Sequence, residues 1–106
     1  MAQMIGKNEN INDASAVLGS GVQAGTGTSI ALVTLTKDDS LLILTNNSNQ
    51  DAWIKMQAAA VDNVKKGFLL YKGTTTELNL DASTRFVGEI SIIADNGNTE
   101  VHTTVM

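Results

Sequence analysis

The sequence predicts an all-β protein, an antiparallel β-sandwich (jelly-roll-like) of about seven short strands with an extended N-terminal arm. Three observations predict it. From Thr28 onward, runs rich in β-branched and aliphatic residues recur, separated by polar turns of Asn, Asp, Ser and Gly. No proline interrupts any of these runs. A chain of 106 residues holds one domain with one core, and several short strands at this spacing bury one best as two packed sheets.

The first 27 residues stand apart and define the arm; the sandwich domain is residues 28–106. The arm holds five of the nine glycines and no sustained periodicity. Asp13 to Leu18 has room for one short helical turn before the glycines end it. Two readings stay open: a mobile tail, or an extended arm that orders on a partner through its apolar anchors Ile5, Ile11, Val17 and Leu18.

Ser29 to Thr36 reads as the first strand and Lys37 to Ser40 as a polar turn. Leu41 to Thr45 is a continuous apolar strand, expected at a sheet centre or buried on both faces. Asn46 to Gln50 is a turn segment, and Ala52 to Gln57 alternates cleanly, so Leu41 to Met56 is predicted to be a β-hairpin. In its second strand Ala52, Ile54 and Met56 face inward, while Trp53, Lys55 and Gln57 face outward. Ala58 to Lys66 is a loop, with at most a single turn.

Gly67 to Tyr71 is a short strand. Thr75 to Leu80 alternates with Thr76, Leu78 and Leu80 inward, and Asp81 to Thr84 turns the chain. Phe86 to Asp95 is a longer strand in which Phe86, Gly88, Ile90, Ile92 and Ala94 share a face. Asp95-Asn96-Gly97-Asn98 suits a type I′ hairpin turn. Thr99 to Val105 closes the domain, with Val101, Thr103 and Val105 inward and His102 outward.

Composition excludes several function classes. The net charge is −4 and the only basic dipeptide is Lys65-Lys66, so nucleic acid is not an expected partner. The apolar runs fall far short of the ~20 residues that span a bilayer, so no membrane association is expected. The N-terminus lacks a basic start followed by an apolar block, and export by a secretion signal is not expected. Without cysteine there is no disulfide, thiolate metal site or Cys nucleophile. Four aromatic residues, Trp53, Phe68, Tyr71 and Phe86, make a poor stacking platform for sugars or bases.

Motifs that carry chemistry are sparse. Gly19-Ser20-Gly21-Val22-Gln23-Ala24 matches a dinucleotide fingerprint, but a β-rich run follows too soon for the helix that receives the pyrophosphate. His102 has no second His or Cys with which to share a metal. No Gly-x-Ser-x-Gly elbow supports a triad built on it. Asp95 to Asn98 lacks the further spaced acids of a calcium loop. Glu77, Glu89 and Glu100 fall on outward positions, where solvation accounts for a charge. Asn46-Asn47-Ser48 fits a glycosylation sequon, which matters only on a secretory route. No catalytic residue, cofactor or metal ligand is assigned, and the chain is read as non-enzymatic. Trp53, on a polar-lined strand face with Lys55 and Gln57, is the candidate interface anchor; its alternative is a surface aromatic partly covered by its own loops.

Leu41-Leu-Ile-Leu-Thr-Asn-Asn-Ser48, followed by Asp51-Ala-Trp-Ile-Lys-Met56, resembles a segment of small structural proteins of tailed-bacteriophage particles. Phe86-Val-Gly-Glu-Ile-Ser-Ile-Ile-Ala-Asp95, with its Gly turn and closing strand, resembles the end of the same proteins. The resemblance spans residues 28–105. It implies a virion component made in the host cytoplasm: a capsid decoration (cement) protein on the capsid surface. There it would bind the major capsid protein, stabilise the shell and form a homo-oligomer, with a trimer favoured. The alternatives are a head-fibre or tail-associated module that recognises a host glycan or protein, and a small hydrolase using His102 and a carboxylate.

Overall fold

A computed structural model describes residues 21–80 and 86–106. These form eight strands: β1 (Val22–Ala24), β2 (Ile30–Leu35), β3 (Leu41–Asn46), β4 (Ala52–Lys55), β5 (Phe68–Leu70), β6 (Thr75–Asn79), β7 (Gly88–Ala94) and β8 (Thr99–Val105). They build two antiparallel four-stranded sheets packed together, the β-sandwich that the sequence predicts. One sheet has the order β1-β8-β3-β6 and the other β2-β7-β4-β5. The pairing is nested: β1 with β8, β2 with β7, β3 with β6 and β4 with β5.

The core lies between the sheets. Leu42 and Leu44 of β3 and Val101 of β8 face Ile54 of β4, with Ile90 and Ile92 of β7, all essentially inaccessible to water. The expected inward set of β4 holds for Ala52 and Ile54. It fails at Met56, which is 38% exposed, because β4 ends at Lys55 and the chain leaves the sheet there.

The expected hairpin over Leu41 to Met56 is not present. β3 pairs with β6 and β8, whereas β4 lies in the other sheet with β5 and β7. The Asn-rich segment is an arch that carries the chain across the core. The Asp95–Asn98 turn likewise joins β7 to β8 across the two sheets instead of closing a hairpin. The two arches are bound together. Asn46, fully buried, donates its side-chain amide to the carbonyls of Gln50 (2.8 Å) and Leu70 (3.0 Å). Ser48 and Thr99 share a hydroxyl contact at 3.1 Å, and Asn47 N–H reaches the Glu100 carbonyl. A strand leaving a sheet strands backbone groups, and these short polar side chains satisfy them.

Among the described residues the only successive strands paired within one sheet are β4 and β5, and the segment joining them is long, residues 56–67. Val22–Ala24, read from sequence as part of the arm, pairs with Thr99–Val101 of β8 and belongs to the sandwich. The rest of the expected arm, residues 1–20 with Ile5, Ile11, Val17 and Leu18, lies outside the described residues, as does the turn expected over Asp81–Thr84.

Candidate interaction surface

The outer face of the β2-β7-β4-β5 sheet is built by alternation. In β4, Ala52 and Ile54 point into the core, so Trp53 and Lys55 point away. Strand register sets their neighbours. Trp53 lies between Ile93 of β7 and Leu69 of β5; Lys55 lies beside Ser91, which is next to Ala31 of β2. A face of this kind is ordinarily wet, yet Ser91 and Ile93 are fully buried and Lys55 is 1% exposed. Residues 56–66 fold back over it as a strap.

The strap is pinned by Lys55. Its ammonium donates to Ser29 Oγ (2.7 Å), to the Asp62 carbonyl (3.1 Å) and to Asp62 Oδ1 (3.0 Å), which uses all three of its N–H groups. Asp62 is the hub on the strap side. It also accepts from Lys66 Nζ (2.8 Å), Gln57 Nε2 (3.0 Å) and the Val64 N–H (3.1 Å). The Lys66 hydrogen bond, followed by those from Lys55 and Val64, holds the Asp62 carboxyl well below the usual carboxylate range.

Further ties secure the two ends. Ser29 donates its N–H to Asn63 Oδ1 and its hydroxyl to the Asp62 carbonyl, both at 2.9 Å. Ala59 N–H donates to Glu89 Oε2 (2.7 Å), and Lys65 Nζ to the Asp95 carbonyl (2.6 Å). Gly67 closes the strap into β5 with φ +98°, and a Cβ there would collide with the Ile54 carbonyl oxygen. Only glycine fits that return.

The outward positions predicted for Trp53, Lys55 and Gln57 therefore have different fates. Trp53 is half-buried, with Nε1 donating to Asp95 Oδ1 at 2.9 Å. Gln57 belongs to the strap. Lys55 is sealed beneath it and presents nothing to a partner, which corrects its reading as a contact residue. What the strap does present is mixed: the apolar Met56, Val61 (62% exposed) and Val64 (54%), with Asn63, Lys65 and Lys66 beside them. Sequence reasoning missed this surface. Its one available signal was a strand lysine followed seven residues later by an aspartate in a glycine-terminated loop.

The opposite outer face, on the β1-β8-β3-β6 sheet, carries Leu41, Ile43, Thr45, His102 and Thr104, all half-buried, with Glu77 exposed at its β6 edge. His102 Nε2 lies 2.9 Å from Glu100 Oε2. Among the described residues, no group of three or more His, Asp or Glu stands close enough to hold a metal. Gly21 to Ala24 of the dinucleotide-like motif enter a strand, not a helix. Asn46 of the sequon is inaccessible.

An open groove of about 570 Å³ lies where β1 and its following loop meet the start of β8. Gln23, Ser48, Asn98, Thr99 and Glu100 give it polar groups, and Ala24 and Ile30 an apolar floor. No protein-family model, curated protein or solved structure matches the chain.

Proposed function

We propose that this chain is a non-enzymatic structural protein of a tailed-bacteriophage virion: a capsid decoration protein that binds the major capsid protein and stabilises the shell. The observation that carries the reading is the strap. A loop whose apolar side chains are held in solvent by an ion pair to a buried lysine is built for association, and large repeated assemblies need such surfaces. Two further points support it. The nested pairing of eight strands supports a jelly-roll reading of the sandwich, an architecture that viral capsid domains use; this is fold-level analogy. The segments that resemble phage structural proteins supply β3, its arch and β4, and then β7, the framework of the sandwich. Virion localisation and homo-oligomerisation, with a trimer favoured, belong to the same reading.

The groove beside β1 favours a second reading, a head-fibre or tail-associated module that binds a host glycan, because its amide, hydroxyl and carboxylate groups suit sugar hydroxyls. One experiment separates the two. Purified chain is added to shells that lack it, and co-sedimentation and shell calorimetry are measured. A decoration protein binds saturably and raises the shell's melting temperature. Binding to host cells with no change in shell melting would replace it with the second reading. Removing residues 1–20, which leaves β1 intact, is expected to weaken shell binding; unchanged binding would remove the arm from the proposal.

A further inference from the structure

Of the six large apolar side chains exposed among the described residues, three lie in one strap: Met56, Val61 and Val64. A covering loop needs no apolar tip, and a sheet face can be covered without a buried charge. An aliphatic residue at position 55 would bury at less cost than an ammonium, whose desolvation its ion pair offsets only in part. What the Lys55–Asp62 pair adds is geometric definition, since two directed hydrogen bonds tie the strap to β4 and a third joins Lys55 to Ser29, just before β2, whose hydroxyl also donates to the strap. A loop already held in one conformation loses little freedom on binding.

Resting on the decoration-protein reading, we infer that the strap is the docking element, and that its partner site on the shell is an apolar depression edged by carboxylates. Val61 and Val64 enter the depression. Lys65 and Lys66, the only adjacent basic pair in a chain of net charge −4, meet its acidic edge. The charge is complementary to an acidic protein surface and gives the contact its orientation. A lipid surface fits less well. The strap carries no aromatic or leucine side chain to enter the acyl boundary.

The test uses shells lacking this chain, the full-length protein, and co-sedimentation at low and raised salt. Val61→Asp/Val64→Asp is expected to weaken binding at least about tenfold, the loss typical of removing interface anchors. The chain's own melting temperature should stay put, because both residues are exposed. Val61→Ser/Val64→Ser gives a milder second reading if the aspartates disturb folding. Lys55→Met, assayed well below its own melting temperature, should weaken binding several-fold, the result expected if the pair fixes the strap's shape. Added salt should weaken wild-type binding.

If wild type binds and both double variants bind equally well, the strap is not the docking element, and the decoration reading survives. If wild type does not bind shells, both fall. Lys55→Met binding like wild type would overturn the role of the ion pair. Tighter binding to phosphatidylglycerol vesicles than to shells, lost in Val61→Asp/Val64→Asp, would replace the protein partner with a membrane.

Discussion

The two outer faces of the sandwich are made by the same alternation and end in opposite states. On the β1-β8-β3-β6 sheet the outward residues Ile43, Thr45 and Thr104 are only half-buried, shielded by their neighbours in the sheet. On the β2-β7-β4-β5 sheet the outward residues Ser91, Ile93 and Lys55 are as dry as the core. The difference arises from one connection. Most of the links between successive strands cross between the sheets and are spent on the crossing. The link from β4 to β5 stays in its sheet, and its length is free to lie over the strands. A nested topology thus leaves one long loop available, and here it becomes a third layer with its own polar core.

The largest expected effect comes from emptying that layer. Lys55→Ala removes a buried stem, leaves Ser29 Oγ without its donor and takes from Asp62 the two hydrogen bonds that Lys55 gives it. A cost of about 2–4 kcal/mol follows from cavity formation and lost hydrogen bonds. Ile43→Ala, on the open face, creates no enclosed cavity and should cost about 1 kcal/mol. Lys55→Met keeps the volume but loses the same three hydrogen bonds, so its cost should fall between those of the other two variants. Urea unfolding of the three variants checks the order. Equal losses for Lys55→Ala and Ile43→Ala would mean that the strap does not seal its face.

Acid sharpens the same contrast. Asp62 has its carboxyl pulled down by Lys66 and Lys55 in the folded protein, whereas in the unfolded chain it titrates near the ordinary value of about 3.9. The unfolded state therefore binds more protons as pH falls. The stabilisation is complete above the ordinary value and is lost on acidification toward the folded one. The melting temperature of wild type should drop between about pH 5 and pH 2, and Asp62→Asn should flatten that drop. An identical pH profile in the variant would separate Asp62 from acid stability.

Much of the fold was legible because it depends on local pattern. Ile30–Leu35, Leu41–Asn46, Gly88–Ala94 and Thr99–Val105 announce themselves as strands by composition and period, and the Asn- and Gly-rich turns fall where polar runs indicate. Partners were not legible. Asn-Asn-Ser and Asp-Asn-Gly mark a reversal, but a reversal within a sheet and an arch between sheets draw on the same residues. Only the distant groups that Asn46 and Thr99 satisfy decide between them. β1 was hidden by its shortness among glycines. The site was hidden for another reason: alternation correctly turned Lys55 away from the core, but outward means exposed only if nothing covers the face, and the covering depends on where the 56–66 loop folds. Trp53 shows the same limit, since its hydrogen bond to Asp95 spans 42 positions of sequence.

The smallest effect tests whether the strap layer is packed as economically as the core. Ser91 Oγ is buried beneath the strap with no protein hydrogen-bond partner among the described residues, although it lies in register with Lys55. The lysine's three N–H groups are already committed to Ser29 and Asp62, so register alone brings the hydroxyl no partner. An unpartnered hydroxyl retains its desolvation cost, and deleting it removes that cost while losing one small atom's packing. Ser91→Ala should accordingly be neutral or stabilising by up to about 1 kcal/mol. Ser29→Ala, which removes an acceptor that Lys55 uses, should destabilise by a similar amount. Opposite signs for two serines flanking the same lysine would show that the layer is held by directed bonds to its ammonium. A destabilising Ser91→Ala would instead place a bridging water between Ser91 and the lysine pocket, making the strap's polar core wetter than its burial suggests.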